Sequence, residues 1–416
     1  MKNIPSEKTL RRIAEVMPTP FHLYDEAALL ERVRGLKRAF SWNPGFREFF
    51  AVKATPNPYL LDVLKGEGCG VDCASLTELM LAKAVGFRAQ DIMFSSNDTP
   101  ASEYVLAREL DATINLDDVS HIDFLARNGG IPSRICLRYN PGGNVVIANQ
   151  VMGRPGESKF GMTRDQIFEG VRRLQAMGVE RFGLHSFLVS NATDPMYYPS
   201  MARMLFTLAQ DLYGALGARV DMVNLSGGIG IPYRPEEQAV DIGEVGRGVK
   251  AVYDELVAGT ALDPLRVVTE LGRYIAGPAG CLVTTAIHEK RTYKHYIGVD
   301  ASACDLMRPA MYGAYHHITV SGKEDAPLNQ VCDVVGSLCE NNDKFAVDRP
   351  LPQIDPGDLV LIHDAGAHGR SMGYNYNGKL RSGEVLLHPD GTFDIIRRAE
   401  TPGDYFATLD YKALKP

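Results

Sequence analysis

Phe50-Ala51-Val52-Lys53-Ala54-Thr55 ends an apolar run on a single lysine, and small residues follow it. The pattern predicts a buried strand that carries an amine at its C-terminal end. Burying an ammonium group is costly, so lysine is rarely found inside a protein without a task. Desolvation lowers the pKa of the amine and makes it a nucleophile toward carbonyl carbons, the property of a Schiff-base lysine. The alternative is a lysine whose stem lies on apolar surface while its head reaches water at a strand end.

The segments around this one show what architecture it belongs to. From about residue 45 to 280, short apolar runs alternate with longer stretches of helical periodicity. Strand cores are expected at 49–53, 70–72, 92–94, 112–115, 135–139, 182–185, 222–225 and 267–270. Between them, 75–84 and 201–216 carry apolar residues at helical spacing. Eight strand–helix units of this kind predict a (β/α)8 barrel. The same alternation permits an open doubly wound sheet. No Gly-x-Gly-x-x-Gly follows an early strand, which disfavours a dinucleotide fold.

Beyond residue 280 the pattern changes to strands broken by turns such as Pro389-Asp390-Gly391. Strands are expected at 283–288, 293–299, 317–320, 330–335, 359–362, 384–387 and 392–396. An isolated strand at 21–25, before a helix at 26–39, is expected to join that C-terminal sheet. The expected division is a barrel domain over 36–280 and a β domain, barrel or sandwich, made of 1–35 and 281–416.

The chain has 416 residues and a net charge of −7, which argues against a nucleic acid or an anionic membrane as partner. No apolar run approaches the length that spans a bilayer. Met1-Lys2-Asn3-Ile4-Pro5-Ser6-Glu7 contains no apolar signal core, and the seven cysteines are scattered and odd in number. Reduced thiols in a cytoplasmic protein are expected. Cys69 and Cys73 are close, but no second pair or histidine cluster completes a zinc site, so no metal is expected.

In a (β/α)8 barrel, functional residues come from the C-terminal ends of the strands. The polar residues at those ends are Lys53, Asp72, Asn97, Arg138, His185, Ser226 and Glu270. Stability asks only for apolar layers inside a barrel, so this many polar residues aimed at one mouth point to chemistry. Ser226-Gly227-Gly228-Ile229-Gly230 follows the seventh strand, where glycines allow backbone amides to approach a phosphate. Glu270-Leu271-Gly272-Arg273 follows the eighth. A carboxylate beside a pyridine nitrogen, with an arginine near phosphate, would suit pyridoxal phosphate (PLP). A plain ion pair is the alternative.

Taken together, these segments resemble the fold-type III PLP-dependent decarboxylases, and among them the diaminopimelate decarboxylases most closely. The resemblance runs from Pro20 to about residue 400. It is carried by Ala51-Val52-Lys53-Ala54, Asp72-Cys73-Ala74-Ser75, Arg138-Tyr139-Asn140-Pro141, Lys159-Phe160-Gly161-Met162, Ser226-Gly227-Gly228 and Glu270-Leu271-Gly272-Arg273. Downstream it continues in Asp305-Leu306-Met307-Arg308-Pro309-Ala310-Met311-Tyr312, Leu338-Cys339-Glu340-Asn341-Asn342-Asp343 and Tyr376-Asn377.

The resemblance implies that Lys53 holds PLP covalently and that Glu270 pairs with the pyridine nitrogen. It implies that Gly227, Gly228, Gly230, Ser190, Gly272 and Arg273 hold the phosphate, and that Asp72 and Arg138 belong to the cofactor site. Arg273, Arg308 and Tyr312 resemble residues that bind the distal carboxylate of diaminopimelate, and Glu340 the residue that contacts its distal amine. Cys339 resembles the cysteine that enters the partner subunit's site and assists protonation after CO2 loss. That implies a homodimer with shared active sites.

The sequence departs from the family at three places. Phe187 stands where a histidine stacks on the PLP ring. Leu271 replaces the proline of Glu-Pro-Gly-Arg. His368, in Gly366-Ala367-His368, replaces a tyrosine that reaches the phosphate. The expected activity is PLP-dependent decarboxylation of an amino acid, with meso-diaminopimelate, giving lysine, as the first substrate. D-ornithine, D-lysine, another basic amino acid or a biosynthetic intermediate is the alternative within the class. An amino-acid racemase and a non-catalytic PLP carrier are alternatives outside it.

Overall fold

A computed structural model describes residues 5–143 and 154–414. Contacts divide the chain into two units. The first comprises Leu30–Ile231 and Ala239–Tyr274, and the second Met1–Leu29, Pro232–Gln238 and Ile275–Pro416. No helix among the described residues is long and apolar enough to cross a membrane.

Strand β1 (Phe21–Asp25) belongs to the second unit. The next eight strands build the first. They are β2 (Arg47–Ala51), β3 (Gly70–Cys73), β4 (Ile92–Ser95), β5 (Thr113–Leu116), β6 (Arg134–Arg138), β7 (Arg181–His185), β8 (Val220–Asn224) and β9 (Arg266–Thr269). Each pairs in parallel with the next, and β9 closes on β2 with Arg47 opposite Val268. The expected (β/α)8 barrel is present, and each expected strand core falls on one of these strands.

The barrel interior shows why the closure holds. Phe49, Met93, Cys136 and Met222 come from β2, β4, β6 and β8 and meet in one buried cluster with Val268. Alternate strands supply one layer of side chains, as closed eight-stranded barrels require. Two of the strands between them, β3 and β7, leave the room. A Cβ on Gly70 of β3 would lie 2.6 Å from the Phe49 ring, and one on Gly183 of β7 would lie 2.8 Å from Met222.

One expectation needs correcting here. Strand β2 stops at Ala51, Val52–Ala54 forms a single 3₁₀ turn, and Lys53 on that turn is exposed. The turn lifts the lysine out of the interior while Val52 and Ala54 on either side stay buried. The amine is therefore delivered to the mouth of the barrel rather than desolvated inside a strand.

The second unit is mostly sheet. Its further strands are β10 (Gly280–Arg291), β11 (His295–Val299), β12 (Ile318–Val320), β13 (Gln330–Val335), β14 (Lys344–Leu351), β15 (Leu359–Ile362), β16 (Gly383–Leu387) and β17 (Phe393–Arg397). The N-terminal β1 lies between β10, antiparallel to it, and β16, parallel to it. It is a central strand of the C-terminal sheet, and four of its five residues are buried.

The two longest elements of this unit without a counterpart among the expected ones are a helix and a strand. Helix Glu7–Val16 is mostly polar and turns only Leu10 and Ile13 fully inward, onto a core with Phe21, Val283, Leu361 and Val385. Strand β14 contains Asp348, Arg349 and Pro350, a composition that reads as a turn. It is tolerated because β14 lies at the sheet edge with β13 as its only partner among the described residues, where a missing amide donor is harmless.

Candidate active site

The barrel strands bring their last polar residues together around Glu270, which directly follows β9. Its carboxylate is buried and accepts from Asn224 Nδ2 at 2.6 Å, Ser226 Oγ at 3.0 Å and Ser95 Oγ at 3.4 Å. Asn224 is itself oriented, because its Oδ1 accepts the Ser226 amide at 2.7 Å. His185, the last residue of β7, places Nε2 3.2 Å from Glu270 Oε2, off the line of a hydrogen bond.

Burial by itself would raise the Glu270 pKa. His185, the Asn224 hydrogen bond and the nearby Lys53 outweigh it and hold the carboxyl at about 2. Burial lowers the His185 pKa against the pull of the same carboxylate. Asp72 on β3 moves the other way. Its burial, and then the Glu270 charge, push its pKa well above the usual carboxylate range, with Lys53 opposing. Two neighbouring carboxyls whose pKa values move in opposite directions point to a functional site.

Arg138 ends β6 and bonds Asp117 Oδ1 at 3.0 Å, and its guanidinium lies 4.4 Å from the centre of the Phe160 ring. Arg138, Phe160 and Phe187 line one small pocket with Tyr139 and Asn140. Phe187 is half-buried two residues beyond β7.

The glycines of both loops are spaced by contact. A Cβ on Gly227 would lie 2.6 Å from the Glu270 carbonyl oxygen, and one on Gly228 would lie 2.5 Å from that of Val189. Gly228 also has φ +115°, outside the range of an ordinary side chain. Gly230 donates its amide to Ala192 at 2.7 Å, and Arg273 Nη2 bonds Ser190 Oγ at 3.3 Å. A Cβ on Gly272 would lie 2.6 Å from the Ala54 Cβ, so this glycine lets the Glu270 segment pack onto the Lys53 turn.

Sequence reasoning had missed Asn224, Ser95 and Asp117. The same strand-end rule that found Ser226 applies to Asn224, which follows Met222-Val223. At the end of β4, Ser95 reaches Glu270, whereas Asn97 turns to Asp98 at 2.8 Å.

The remaining candidates lie in the β-rich unit. Arg308 is buried with its guanidinium 5.6 Å from the Tyr233 ring centre, and Tyr312 ends the same short helix, Arg308–Tyr312. Cys339 and Glu340 are exposed, and the Cys339 amide bonds Asn377 Oδ1 at 2.7 Å. Asp343 holds their loop, accepting the Leu338 amide at 2.8 Å and the Ala303 amide at 2.7 Å. Glu340 lines a cavity of about 720 Å³ with Met307, Met311, Leu338, Tyr374 and Tyr376. His368 is half-buried with φ +56°.

Residues 26–277 match the family model described as pyridoxal-dependent decarboxylase, pyridoxal binding domain. The chain belongs to the pyridoxal-dependent decarboxylases. Its cofactor is PLP, and the match takes in the Lys53 turn, both glycine loops and Glu270. Among curated relatives, it is 39% identical to protein TabA of Pseudomonas amygdali pv. tabaci, over 97% of this chain and 94% of that one. It is 34% identical to the diaminopimelate decarboxylase of Methanothermobacter thermautotrophicus, over 94% and 92%. Among solved structures, the diaminopimelate decarboxylase of Helicobacter pylori complexed with L-lysine superposes with a TM-score of 0.86 at 28% identity, covering 96% of this chain and 98% of that one.

The barrel mouth suits the cofactor. Asp72 Oδ1 and His185 Nδ1 are buried polar atoms with no hydrogen-bond partner among the described residues, and they flank the ionised Glu270. Buried polar atoms left unsatisfied in this way mark a place where another polar group belongs.

Proposed function

We propose that this chain decarboxylates meso-diaminopimelate to L-lysine, with Lys53 holding PLP through its amine. The observation that carries the reading is Glu270, a buried carboxylate kept ionised by Asn224, Ser226 and His185 beside the Lys53 turn. When bound, the cofactor supplies a protonated pyridine ring that accepts the electron pair released at Cα.

The residues of the chain then have separate tasks. Glu270 would pair with the ring nitrogen, and a carboxyl this acidic stays ionised through the working range of pH and would keep that nitrogen protonated. Asp72, Arg138 and Phe187 would hold the ring. Gly227, Gly228, Gly230 and Gly272 admit the phosphate to backbone amides, and Ser190, Arg273 and His368 add side chains. The region 36–280 serves as the cofactor-binding domain, and 1–35 with 281–416 as the β domain.

Arg308, Tyr312 and Arg273 are assigned to the distal carboxylate of the substrate, whose two oxygens suit a guanidinium fork. Glu340 takes its distal amine. The Cα–carboxylate bond breaks, CO2 leaves, and Cys339 of a partner subunit delivers the proton that replaces it. The active unit is a cytoplasmic homodimer with shared sites, and its product enters lysine biosynthesis. Relatives named diaminopimelate decarboxylase at 30–34% identity support the substrate. Phe187 and His368, which depart from the family, favour D-lysine or D-ornithine as the second reading.

The test is the ratio of kcat/KM for meso-diaminopimelate to that for D-lysine, measured by CO2 release. A ratio well above one is expected, because a site built for a carboxylate leaves its arginine unpaired with a substrate that lacks one. A ratio below one replaces the substrate and keeps the decarboxylase.

A further inference from the structure

Glu48 is a further buried carboxyl of the barrel, and the proposed function gives it no task. It lies on β2 and is 2% exposed. Its Oε2 is 2.5 Å from the Thr269 hydroxyl, and its Oε1 accepts the Leu271 amide at 2.6 Å. Those two residues flank Glu270 in the chain. Leu271 is 1% exposed, so its N–H has no access to water and needs an acceptor inside the protein. A carboxylate is an expensive acceptor to bury, since a carbonyl would serve the amide alone. A carboxyl has two oxygens, and here they grip the segment on both sides of Glu270.

We propose that Glu48 is a positioning residue that clamps Thr269 and Leu271 and so fixes the direction in which the Glu270 carboxylate points. This rests on the reading of Glu270 as the partner of the cofactor's ring nitrogen. Glu48 acts through Glu270 and does not touch the reacting atoms.

The chemistry of the clamp favours its protonated form. Burial is the main cause, and it pushes the Glu48 pKa up to about 8 against the two hydrogen bonds, with the Glu270 charge adding to the rise. The other titratable groups that feel its charge are the Cys69 thiol and the Tyr198 phenol, both buried. A protonated Glu48 donates to Thr269 Oγ1 and still accepts from Leu271. Glutamine reproduces that pattern, whereas leucine fills similar space and leaves the Leu271 amide unpaired.

Glu48→Gln and Glu48→Leu are compared in the full-length protein. The leucine variant is expected to lower kcat by about tenfold or more with KM nearly unchanged, and the glutamine variant to restore most of it. Two readouts do not depend on turnover. By NMR, the His185 titration shifts in Glu48→Leu, because Glu270 moves relative to the imidazole, and stays in place in Glu48→Gln. In thermal unfolding, the unfolded chain ionises Glu48 near 4.5 while the folded chain resists until about 8. Wild type therefore loses stability relative to Glu48→Gln as pH rises between those values.

A Glu48→Leu protein with wild-type kcat and an unmoved His185 titration overturns the proposal. If that variant does not fold, Thr269→Val removes one arm of the clamp, and an unmoved His185 titration there overturns it as well. If Glu270→Gln keeps full activity while the His185 readout behaves as expected, the clamp stands and the assigned role of Glu270 fails.

Discussion

The barrel mouth and the β-rich unit handle charge in opposite ways. In the barrel, carboxyls are buried and their pKa values diverge: burial pushes Glu48 up to about 8, whereas His185, Asn224 and Lys53 outweigh burial and hold Glu270 at about 2. Polar atoms of Asp72 and His185 there are left without partners among the described residues. In the β-rich unit, three groups of charges are paired among themselves. Lys294 bonds both Asp333 and Asp348, Lys323 bonds Asp355 and Asp358, and His388 lies between Glu26 and Asp394. The first arrangement costs stability and prepares chemistry, whereas the second is satisfied within itself and holds strands together.

The comparison is broken most directly at Lys53. Lys53→Ala is expected to abolish covalent cofactor and reduce turnover by several orders of magnitude. Borohydride reduction followed by peptide mapping checks it, and a covalent adduct on another lysine ends the assignment. Glu270→Gln comes next, with a loss of about a hundredfold or more in kcat at nearly unchanged cofactor content. A loss below about tenfold, or roughly 1.4 kcal/mol, makes Glu270 structural.

Mixing Lys53→Ala with Cys339→Ala protein tests the β-rich side. Each variant is inactive alone, and subunit exchange leaves one intact site per mixed dimer, so partial activity returns. Confirmed exchange with no activity removes the shared-site reading.

The smallest effect is expected at the His388 group, where Glu26 first, and then Asp394, raise the imidazole pKa above its ordinary value against partial burial. A raised histidine stabilises the fold below its unfolded pKa and loses that contribution as pH climbs through the folded one. His388→Gln should therefore lower stability at pH 5, by about 1 kcal/mol or less, and make little difference at pH 9. A larger loss at pH 9 than at pH 5 contradicts the pairing.

The strand pattern of the barrel was legible because each run of β-forming residues ends on a polar residue, and that rule is local. The same rule reached Asp72, Arg138, His185 and Ser226. It chose Asn97 over Ser95 because strand ends are uncertain by a residue or two. Strand β14 stayed hidden because Pro350 is permissible only at an edge, and edge position is a property of the assembled sheet. Helix Glu7–Val16 was hidden because two fully buried side chains make too thin an apolar stripe.

The sequence alone determined the strand–helix alternation and the residues at most strand ends, which follow from short-range pattern, and its motifs carried the resemblance that implied the cofactor. Only the tertiary structure decided that Lys53 stands on an exposed turn, that β1 is a central strand of a C-terminal sheet, and that Glu48 grips the flanks of Glu270. The Glu48 hydrogen bonds join residues 221 and 223 positions apart. Barrel closure of β9 on β2 creates that neighbourhood, and no local pattern in the chain encodes it.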